Sequence, residues 1–340
     1  MPWTIIRSAL AILVTTFSIT VDIHAENLSI YWIDVEGGAA TLIITPSRRA
    51  ILMDAGWSRA DNRDSKRIKA ALDDAKMGRI DYFIASHFHR DHVGGLLDLS
   101  KTVEIGTFID HGESVEVSPE RRQPWESYQR ISKNNRRTIR PGDKLPFSDL
   151  EFLFVLSNGE TLERPLMPLG PNPYCQNAVF TQPEPGENTR SIGYLLSLGG
   201  FQFLDLGDAT INMQDRLACP ENLIGEIDLL QIPHHGNDLA PQLLWALRPQ
   251  ATVTNNGPNK GGSAEGFNIV SAIPKISDTW QLHRPNGTPP ALTAKEVHIA
   301  NLASEDDCHG FWIKAVVDTE GRSYSISNGR TGFSQTYLSR

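Results

Sequence analysis

The chain has 340 residues, of which 40% are hydrophobic, so it is long enough to bury one large core or two small ones. Its formal net charge is −8 and its pI is near 5.7, which argues against a general grip on the nucleic acid backbone. A net negative charge does not exclude a local patch of basic residues.

The first 25 residues have the pattern of a secretory signal peptide. Arg7 supplies a positive charge, residues 9–19 are mostly apolar with Thr and Ser interruptions, and Ala25 offers a small residue at the cleavage point. An uncleaved membrane anchor is the alternative, although the apolar stretch is short for a span. We therefore predict a secreted or periplasmic protein, with one mature domain over residues 26–340 and no stable membrane span after cleavage.

The first part of the mature chain predicts a sheet with a helix packed on it. Three apolar runs between residues 28 and 53 are typical of strands, and Asp54 closes the third. Residues 64–77 carry apolar side chains at helical spacing, and the apolar run 80–85 predicts a further strand. Strands followed by a helix and another strand indicate sheets covered by helices.

Polar side chains with metal-binding chemistry crowd into the next stretch, SHFHRDHVGG over residues 86–95. His87 and His89 flank one residue, and Asp91 and His92 come one turn later. Imidazole and carboxylate suit zinc, and the lack of Cys argues against a structural thiolate site. Two adjacent ligand sets predict two metal ions about 3.5–4 Å apart that share a bridging hydroxide. The alternative is a solvated polar loop that happens to be rich in His.

Residues 113–187 depart from the regular pattern, and we predict a loop-rich insertion near the site. Eight basic residues between positions 121 and 144 are interleaved with Trp125 and Tyr128. This stretch would either present phosphate-binding arginines or form the solvated face of a short helix.

Three cysteines, Cys175, Cys219 and Cys308, allow one disulfide in an oxidising compartment. The sequence does not choose the pair.

Further polar residues follow predicted strands in the second half. The hairpin 191–206 is followed by Asp208, and the apolar run 227–232 leads into Pro233-His234-His235-Gly236. His111 and His283 end two other short strands, where each would face the site or be an ordinary surface His.

The motif His-x-His-x-Asp-His after an apolar strand resembles the signature of the metallo-β-lactamase superfamily. More narrowly, the chain is similar to the extracellular hydrolase domain of ComEC-type competence proteins. Five further stretches carry that likeness in the same order: IDVEGG (33–38), ILMDAG (51–56), NTRSI (188–192), LGD (206–208) and IPHHG (232–236). The resemblance implies an α/β fold, the αβ/βα four-layer sandwich, with metals at one sheet edge.

The resemblance also implies roles for individual residues. Asp208 would bridge both metals, His234 rather than His235 would be the last ligand, and Asp54 would orient ligands from beneath. The implied metal ligands are His87, His89, Asp91, His92, Asp208 and His234. The side chains expected around them, in the pocket or behind the ligands, are Asp54, Asn188, His235, His111 and His283.

One position departs from the superfamily pattern. Most two-zinc members have a third His for the first metal where this chain has Asn188, and ComEC-type domains also carry Asn in this region. The first metal would then have His87, His89 and Asp208, with water or Asn188 completing it. Asp91, His92, His234 and Asp208 would hold the second metal. We expect unequal occupancy by Zn²⁺, with Mn²⁺ as an alternative metal.

The implied function is that of a secreted metal-dependent hydrolase in which a metal-activated water attacks the substrate and Asp91 also accepts a proton. We favour a phosphodiester substrate, either nucleic acid or a phosphorylated envelope component. Lactams, lactones and thioesters are alternatives, as is a non-catalytic metal- or ligand-binding protein with a degraded centre. The membrane helices of ComEC proteins are missing from this sequence, so DNA import by this chain alone is not supported.

Overall fold

The fold is described from a computed structural model that covers residues 1, 26–133, 135–178, 184–302 and 308–340. The predicted signal segment, apart from Met1, lies outside the described residues. Within the covered ranges, no helix has the length and hydropathy that crossing a bilayer requires.

Seventeen strands occur in the described residues. In chain order they are β1 (Leu28–Trp32), β2 (Thr41–Ile44), β3 (Ala50–Met53), β4 (Arg79–Ile84), β5 (Glu104–Asp110), β6 (Arg136–Thr138), β7 (Glu151–Ser157), β8 (Glu160–Thr161), β9 (Gly193–Leu198), β10 (Phe201–Asp205), β11 (Leu229–Gln231), β12 (Ala251–Thr254), β13 (Asp278–His283), β14 (Ile299–Asn301), β15 (Ile313–Val317), β16 (Ser323–Asn328) and β17 (Ser334–Leu338).

Helices connect or cover these strands. They are α1 (Arg63–Asp74), α2 (Arg90–Val93), α3 (Leu96–Leu99), α4 (Pro119–Ser132), α5 (Ile211–Ala218), α6 (Pro241–Leu247) and α7 (Ala264–Ser271). Short 3₁₀ turns at Glu187–Arg190 and Pro233–Gly236 matter for the site.

The strands form two sheets. One has the order β17-β16-β15-β1-β2-β3-β4-β5-β6, and the other has the order β14-β13-β12-β11-β10-β9-β7-β8. Strands β3 to β6 are mutually parallel, and so are β10 to β14. Because the carboxyl ends of parallel strands meet at one edge of a sheet, the loops after β3, β4, β10 and β11 are the ones that can share a site.

Three clusters of buried side chains define four layers. One lies between the two sheets, one lies between the first sheet and helices α1, α3 and α4, and one lies between the second sheet and α5, α6 and α7. Strand β1 contributes to two of these clusters, because successive side chains of a strand point to opposite faces of its sheet. Ile30 and Trp32 join the cluster between the sheets, whereas Tyr31 joins the helix side. The predicted αβ/βα sandwich is confirmed.

The loop-rich prediction for residues 113–187 needs correction over part of its length. Strand β7 lies inside this segment, pairs antiparallel with β9 and is buried from Phe152 to Ser157. Its apolar run FLFVL is continuous because both faces are covered, so the period-2 alternation of a half-exposed strand is absent. Helix α4 also forms here, with Trp125 and Tyr128 buried.

A disulfide joins Cys175 to Cys219, 44 residues apart in sequence, and leaves Cys308 as a free thiol. The structure therefore chooses a pair that the sequence left open. The bond ties the segment before β9 to the end of α5.

Removing this disulfide should destabilise the protein. We expect Cys175→Ser combined with Cys219→Ser to lower the free energy of unfolding by about 2–4 kcal/mol, because the bond restricts the unfolded chain over this separation. Urea denaturation of the oxidised proteins measures the change. Cys308→Ser, which keeps the disulfide, is the control. Equal stabilities for the double variant and the wild type would contradict the prediction.

Candidate metal centre

Four loops bring the candidate ligands together, and each loop follows a parallel strand. Asp54 follows β3, the histidine loop follows β4, Asp208 follows β10, and His235 follows β11. The first two loops belong to one sheet and the last two to the other. The site therefore lies where the edges of the two sheets meet.

A compact set of four side chains has the chemistry of a metal site. The ligand atoms of Asp91, His92, Asp208 and His235 all lie within 4.8 Å of one another, and all four residues are buried. His92 Nε2 is 3.2 Å from Asp208 Oδ2 and 3.3 Å from His235 Nε2. Two carboxylates and two imidazoles aimed at one buried point suit a divalent transition metal, so these residues fit the metal that the motif implies.

More histidines lie near Asp208. His87 Nε2 is 3.9 Å from Asp208 Oδ2 and 2.9 Å from His89 Nδ1. His234 Nε2 is 3.8 Å from the same Asp208 oxygen. One Asp208 oxygen therefore lies between 3.2 and 3.9 Å from imidazoles of both loops, where it could be shared by two metal ions.

The structure reverses the expected order of His234 and His235. His235 Nε2 lies 3.4 Å from Asp91 Oδ2 and 3.3 Å from Asp208 Oδ2, in the place expected for His234. His234 instead lies beside Asn188, with Nδ2 of Asn188 3.2 Å from its Nε2. The reason is local, because both histidines have left-handed backbone angles, with φ of 48° and 55°. The strand alternation that the sequence suggests therefore does not continue past Pro233.

Asp54 supports the histidine loop from beneath. Its Oδ1 accepts the Ser86 N–H at 2.8 Å, and its Oδ2 lies 2.7 Å from His92 Nδ1. This contact fixes the His92 ring with Nε2 directed at the other ligands, an arrangement common behind metal-binding histidines.

Glu187 is a second support that the sequence did not single out. Its carboxylate accepts the N–H of Phe88 at 3.0 Å, the N–H of Val115 at 2.7 Å and the hydroxyl of Ser114 at 2.6 Å. His111 Nε2 lies 3.1 Å from it, so His111 contacts this carboxylate. Burial would raise the pKa of Glu187, but the His111, Ser114 and Phe88 hydrogen bonds lower it to about 2. In the sequence, only its position next to Asn188 pointed to a role for Glu187 near the site.

His283 belongs to a different cluster. Its Nε2 lies 2.8 Å from Asp34 Oδ1, and the Cys308 thiol donates to Asp34 Oδ2 at 3.1 Å. The Arg67 guanidinium also lies 2.9 Å from Asp34 Oδ2 and balances the carboxylate. Burial raises the pKa of the Cys308 thiol to about 12. These contacts form a network around the buried Asp34 carboxylate, separate from the four-residue set of the candidate metal centre.

His87 and Asp208 have the protonation states that metal binding requires. Burial, aided by the neighbouring His92 and His89, places the pKa of His87 well below its usual value, so its ring is neutral at pH 7. Burial would raise the pKa of Asp208, but His235 and His92 outweigh it and hold that pKa well below the usual range. Neutral imidazoles and ionised carboxylates are the forms that ligate metals. Burial would lower the pKa values of His92 and His235, but the Asp208 carboxylate raises both, so these two rings would give up a proton on binding a metal.

Lys260 is the other residue that the sequence missed. Its ammonium contacts Asp91 Oδ2 and lies 5.4 Å from the centre of the Trp57 ring. Backbone hydrogen bonds hold its loop, since Gly257 N donates to Lys260 O at 2.8 Å and Gly262 N donates to His235 O at 2.7 Å. The sequence marks this loop only as rich in Gly and Asn, and a lone Lys within it was the only signal.

A cavity of about 430 Å³ opens beside the ligands. The exposed side chains of Arg90 and Arg121 contribute two cations to its wall. Its lining residues are Phe88, His89, Arg90, Asp91, Glu120, Arg121 and Pro124. A substrate in this cavity would therefore touch both a metal ligand and positive charge.

A family model and several solved structures match parts of this chain. Residues 33–186 match the sequence profile of the metallo-beta-lactamase superfamily. A comparison with curated proteins gave no match. The matched segment contains the histidine motif of residues 86–95. Asp208 and His235 lie beyond the match, and it is the fold that brings them to the motif.

The solved structures that match this chain are distant in sequence. A metallo-beta-lactamase with a HARLDQ motif from Cronobacter sakazakii is 14% identical, with 52% of this chain and 59% of that chain covered and a TM-score of 0.33. MEM-A1, a subclass B3 metallo-beta-lactamase from a soil metagenome library, is 14% identical over 63% of this chain and 80% of its own, with a TM-score of 0.40. YhfI, a metallo-beta-lactamase fold protein from Bacillus subtilis, is 11% identical over 75% and 96%, with a TM-score of 0.44.

Neutralising Glu187 should weaken the fold around the histidine loop. We expect Glu187→Gln to lower the free energy of unfolding at pH 7 by about 1–3 kcal/mol, because a buried charged hydrogen-bond acceptor is lost. The folded pKa of about 2 lies below the ordinary value of 4.5, so this stabilisation is present above pH 4.5 and disappears as pH falls towards 2. Urea denaturation at pH 7, 5 and 3 should show the gap between the two proteins narrowing; a constant gap would refute the prediction.

Removing the Asp208 carboxylate should weaken metal binding by both groups of ligands. We expect Asp208→Ala to weaken metal binding by more than about tenfold and to reduce bound metal, because its oxygen faces both groups. Asn188→Ala should mainly change which metal is preferred. Metal analysis by mass spectrometry after dialysis measures both effects. Asp61→Ala, which alters an exposed carboxylate, is the control, and wild-type metal content in Asp208→Ala would show that the bridge is misplaced.

Proposed function

We propose that this protein is a secreted metal-dependent hydrolase that cleaves anionic esters, with phosphodiesters as the leading substrate class. One observation carries the proposal. The buried set of Asp91, His92, Asp208 and His235 lies beside a cavity whose wall holds cationic side chains. Metal-binding chemistry and anion-binding chemistry therefore adjoin each other.

The chain's own residues divide the work. His92, His235, Asp91 and Asp208 would hold one metal ion, and His87 and His89 with Asp208 would contribute to a second. When bound, divalent metal supplies a Lewis acid that makes water a better nucleophile at neutral pH. Asp91 is ionised, because His92, His235 and Lys260 offset the effect of burial and hold its pKa well below the usual range. Its carboxylate borders the cavity, where it would orient a water molecule and accept a proton.

Three cations favour an anionic substrate. Arg90 is held by a 2.9 Å hydrogen bond from its Nη2 to Glu120 O, and Arg121 is exposed across the same cavity. Lys260 approaches from the opposite loop and contacts Asp91. Guanidinium groups pair well with phosphate oxygens, and an ammonium adds a point charge. The motif likeness to ComEC-type hydrolase domains points in the same direction.

The proposed location also has a structural argument. Disulfides persist in oxidising compartments, and the Cys175–Cys219 bond is compatible with export. The signal-like first 25 residues support the same location. N-terminal sequencing of the protein recovered from a periplasmic or culture fraction tests it, and an intact N-terminus in a reducing compartment would contradict it.

A substrate panel tests the activity. The mature protein, loaded with Zn²⁺ or Mn²⁺, is assayed with bis-p-nitrophenyl phosphate, nitrocefin and a lactone. We expect turnover of the phosphodiester that a chelator abolishes and added metal restores. Turnover of nitrocefin or the lactone alone would replace the proposed substrate class. Full metal loading without any turnover would favour a binding protein.

Lys260 should affect the affinity for anionic substrates. We expect Lys260→Met to raise KM for the phosphodiester by about tenfold, because one charge-assisted contact is lost, with a smaller change for a neutral lactone. Lys260→Arg, which keeps the charge, is the matched control. Metal content is measured on each preparation, since Lys260 contacts a candidate ligand. An equal KM change for charged and neutral substrates would refute the role.

A further inference from the structure

The two adjacent histidines after β11 approach the same Asp208 oxygen but have different neighbours. His235 joins Asp91 and His92, as its 3.4 Å contact with Asp91 Oδ2 shows. His234 has its Nε2 3.8 Å from Asp208 Oδ2 and 3.2 Å from Asn188 Nδ2. The second histidine is therefore part of the four-residue set, and the first is not.

Asn188 links His234 to the first ligand group. Glu187, its neighbour in the chain, accepts the N–H of Phe88, the residue between His87 and His89. The Asn188 amide contacts His234. A short chain of contacts therefore connects the His234 ring to the loop that carries those two histidines.

The contacts of His234 favour a lone pair on Nε2, the nitrogen nearer to Asp208. Its Nδ1 lies 3.1 Å from Asp238 Oδ2 but makes no hydrogen bond with it, so the negative charge of Asp238 alone favours the proton on Nδ1. Nε2 then carries a lone pair, which accepts from the Asn188 amide. A carboxylate behind the distal nitrogen is the arrangement that orients metal-binding histidines. Asn188 Oδ1 is also buried without a hydrogen-bond partner, so the amide has unused capacity at this point.

The backbone gives an independent reason. His234 and His235 both have left-handed angles, φ 48° and ψ 43° for the first and φ 55° and ψ 18° for the second. Two consecutive non-glycine residues in this region cost free energy, and such strain concentrates at functional sites. The hydrogen bond from His234 N to Gly207 O, 3.0 Å long, fixes the turn next to Asp208. This turn is what allows neighbouring rings to serve two groups.

We propose that His234 supplies the third imidazole of the first metal site, replacing the ligand that this chain lacks at Asn188, while His235 serves the second site. The inference rests on the proposed function, because it concerns the same metal centre. Two metals would then have comparable ligand sets despite the Asn at position 188. Under this proposal, the first site would not bind metal more weakly because of Asn188, in contrast to the expectation from the sequence.

The test is metal binding, read without any assay of activity. The metal-free protein is titrated with Co²⁺ and with Zn²⁺ by calorimetry, and Co²⁺ absorption reports the ligand environment. The wild type should bind two equivalents. His234→Ala should weaken one equivalent by at least about tenfold and leave the other within about twofold. Asn188→His in the His234→Ala background should restore binding of the lost equivalent, because the side chain at position 188 lies next to the place that the His234 Nε2 atom occupied.

Further variants separate a ligand from a structural role. Asp238→Asn keeps the His234 ring but changes the group behind it, so the same equivalent should weaken by a smaller factor. His309→Ala removes an exposed His and should change neither equivalent. In the Co²⁺-loaded protein, the number of paramagnetically shifted exchangeable N–H signals should fall by one in His234→Ala.

The outcomes distinguish this inference from the proposed function. Two bound metals in the wild type with unchanged affinities in His234→Ala would overturn the role of His234 and leave the hydrolase proposal standing. Loss of both equivalents together in His234→Ala would overturn its assignment to one site. A wild type that binds no metal would overturn both proposals.

Discussion

A single carboxylate oxygen surrounded by imidazoles is the constraint on which this structure depends. Oδ2 of Asp208 lies between 3.2 and 3.9 Å from the Nε2 atoms of four histidines, namely His87, His92, His234 and His235. Two of these rings come from the loop after β4 in one sheet, and two come from the turn after β11 in the other. A buried carboxylate is costly unless cationic or hydrogen-bonding groups balance it, so the two sheet edges must meet in register.

The polar groups behind the ligands show how that register is maintained. Asp54 holds the loop after β4 through the Ser86 N–H and the His92 ring, and Glu187 holds it through the Phe88 N–H. Both carboxylates come from outside the loop, one from the first sheet and one from the turn before β9. The histidines are therefore fixed from both sides of the sandwich. Such buried networks stabilise the fold only when every polar group has its hydrogen-bond partners, because a buried polar group without a partner is destabilising.

Positive charge lies close to the candidate metal ligands. Arg90 and Arg121 line a cavity that also reaches Asp91, and Lys260 contacts Asp91 from a separate loop. The overall charge of −8 gives no hint of this local concentration. Electrostatic selectivity depends on a few charges near the reacting atoms, where the dielectric screening is weaker than at the open surface.

The sequence pattern by itself determined an α/β fold and the histidine loop, and the sandwich followed from the resemblance of the motifs to the metallo-β-lactamase superfamily. Apolar runs and helical spacing encode which segments are buried. The His and Asp residues of the motif after β4 lie within six residues, so the local chain brings them together whichever strands pair around it. Asp208 was also accessible, since it follows a recognisable hairpin. Strand β7 was missed because a strand covered on both faces loses the alternation that marks a strand.

Only the tertiary structure decided which distant side chains meet. The order of His234 and His235 depends on two left-handed backbone angles, which no side-chain pattern records. Glu187, Lys260 and the Cys175–Cys219 pair depend on contacts across 44 to 169 residues of chain. Local sequence encodes burial and periodicity, whereas the partner of a polar group is fixed by how the two sheets are brought together.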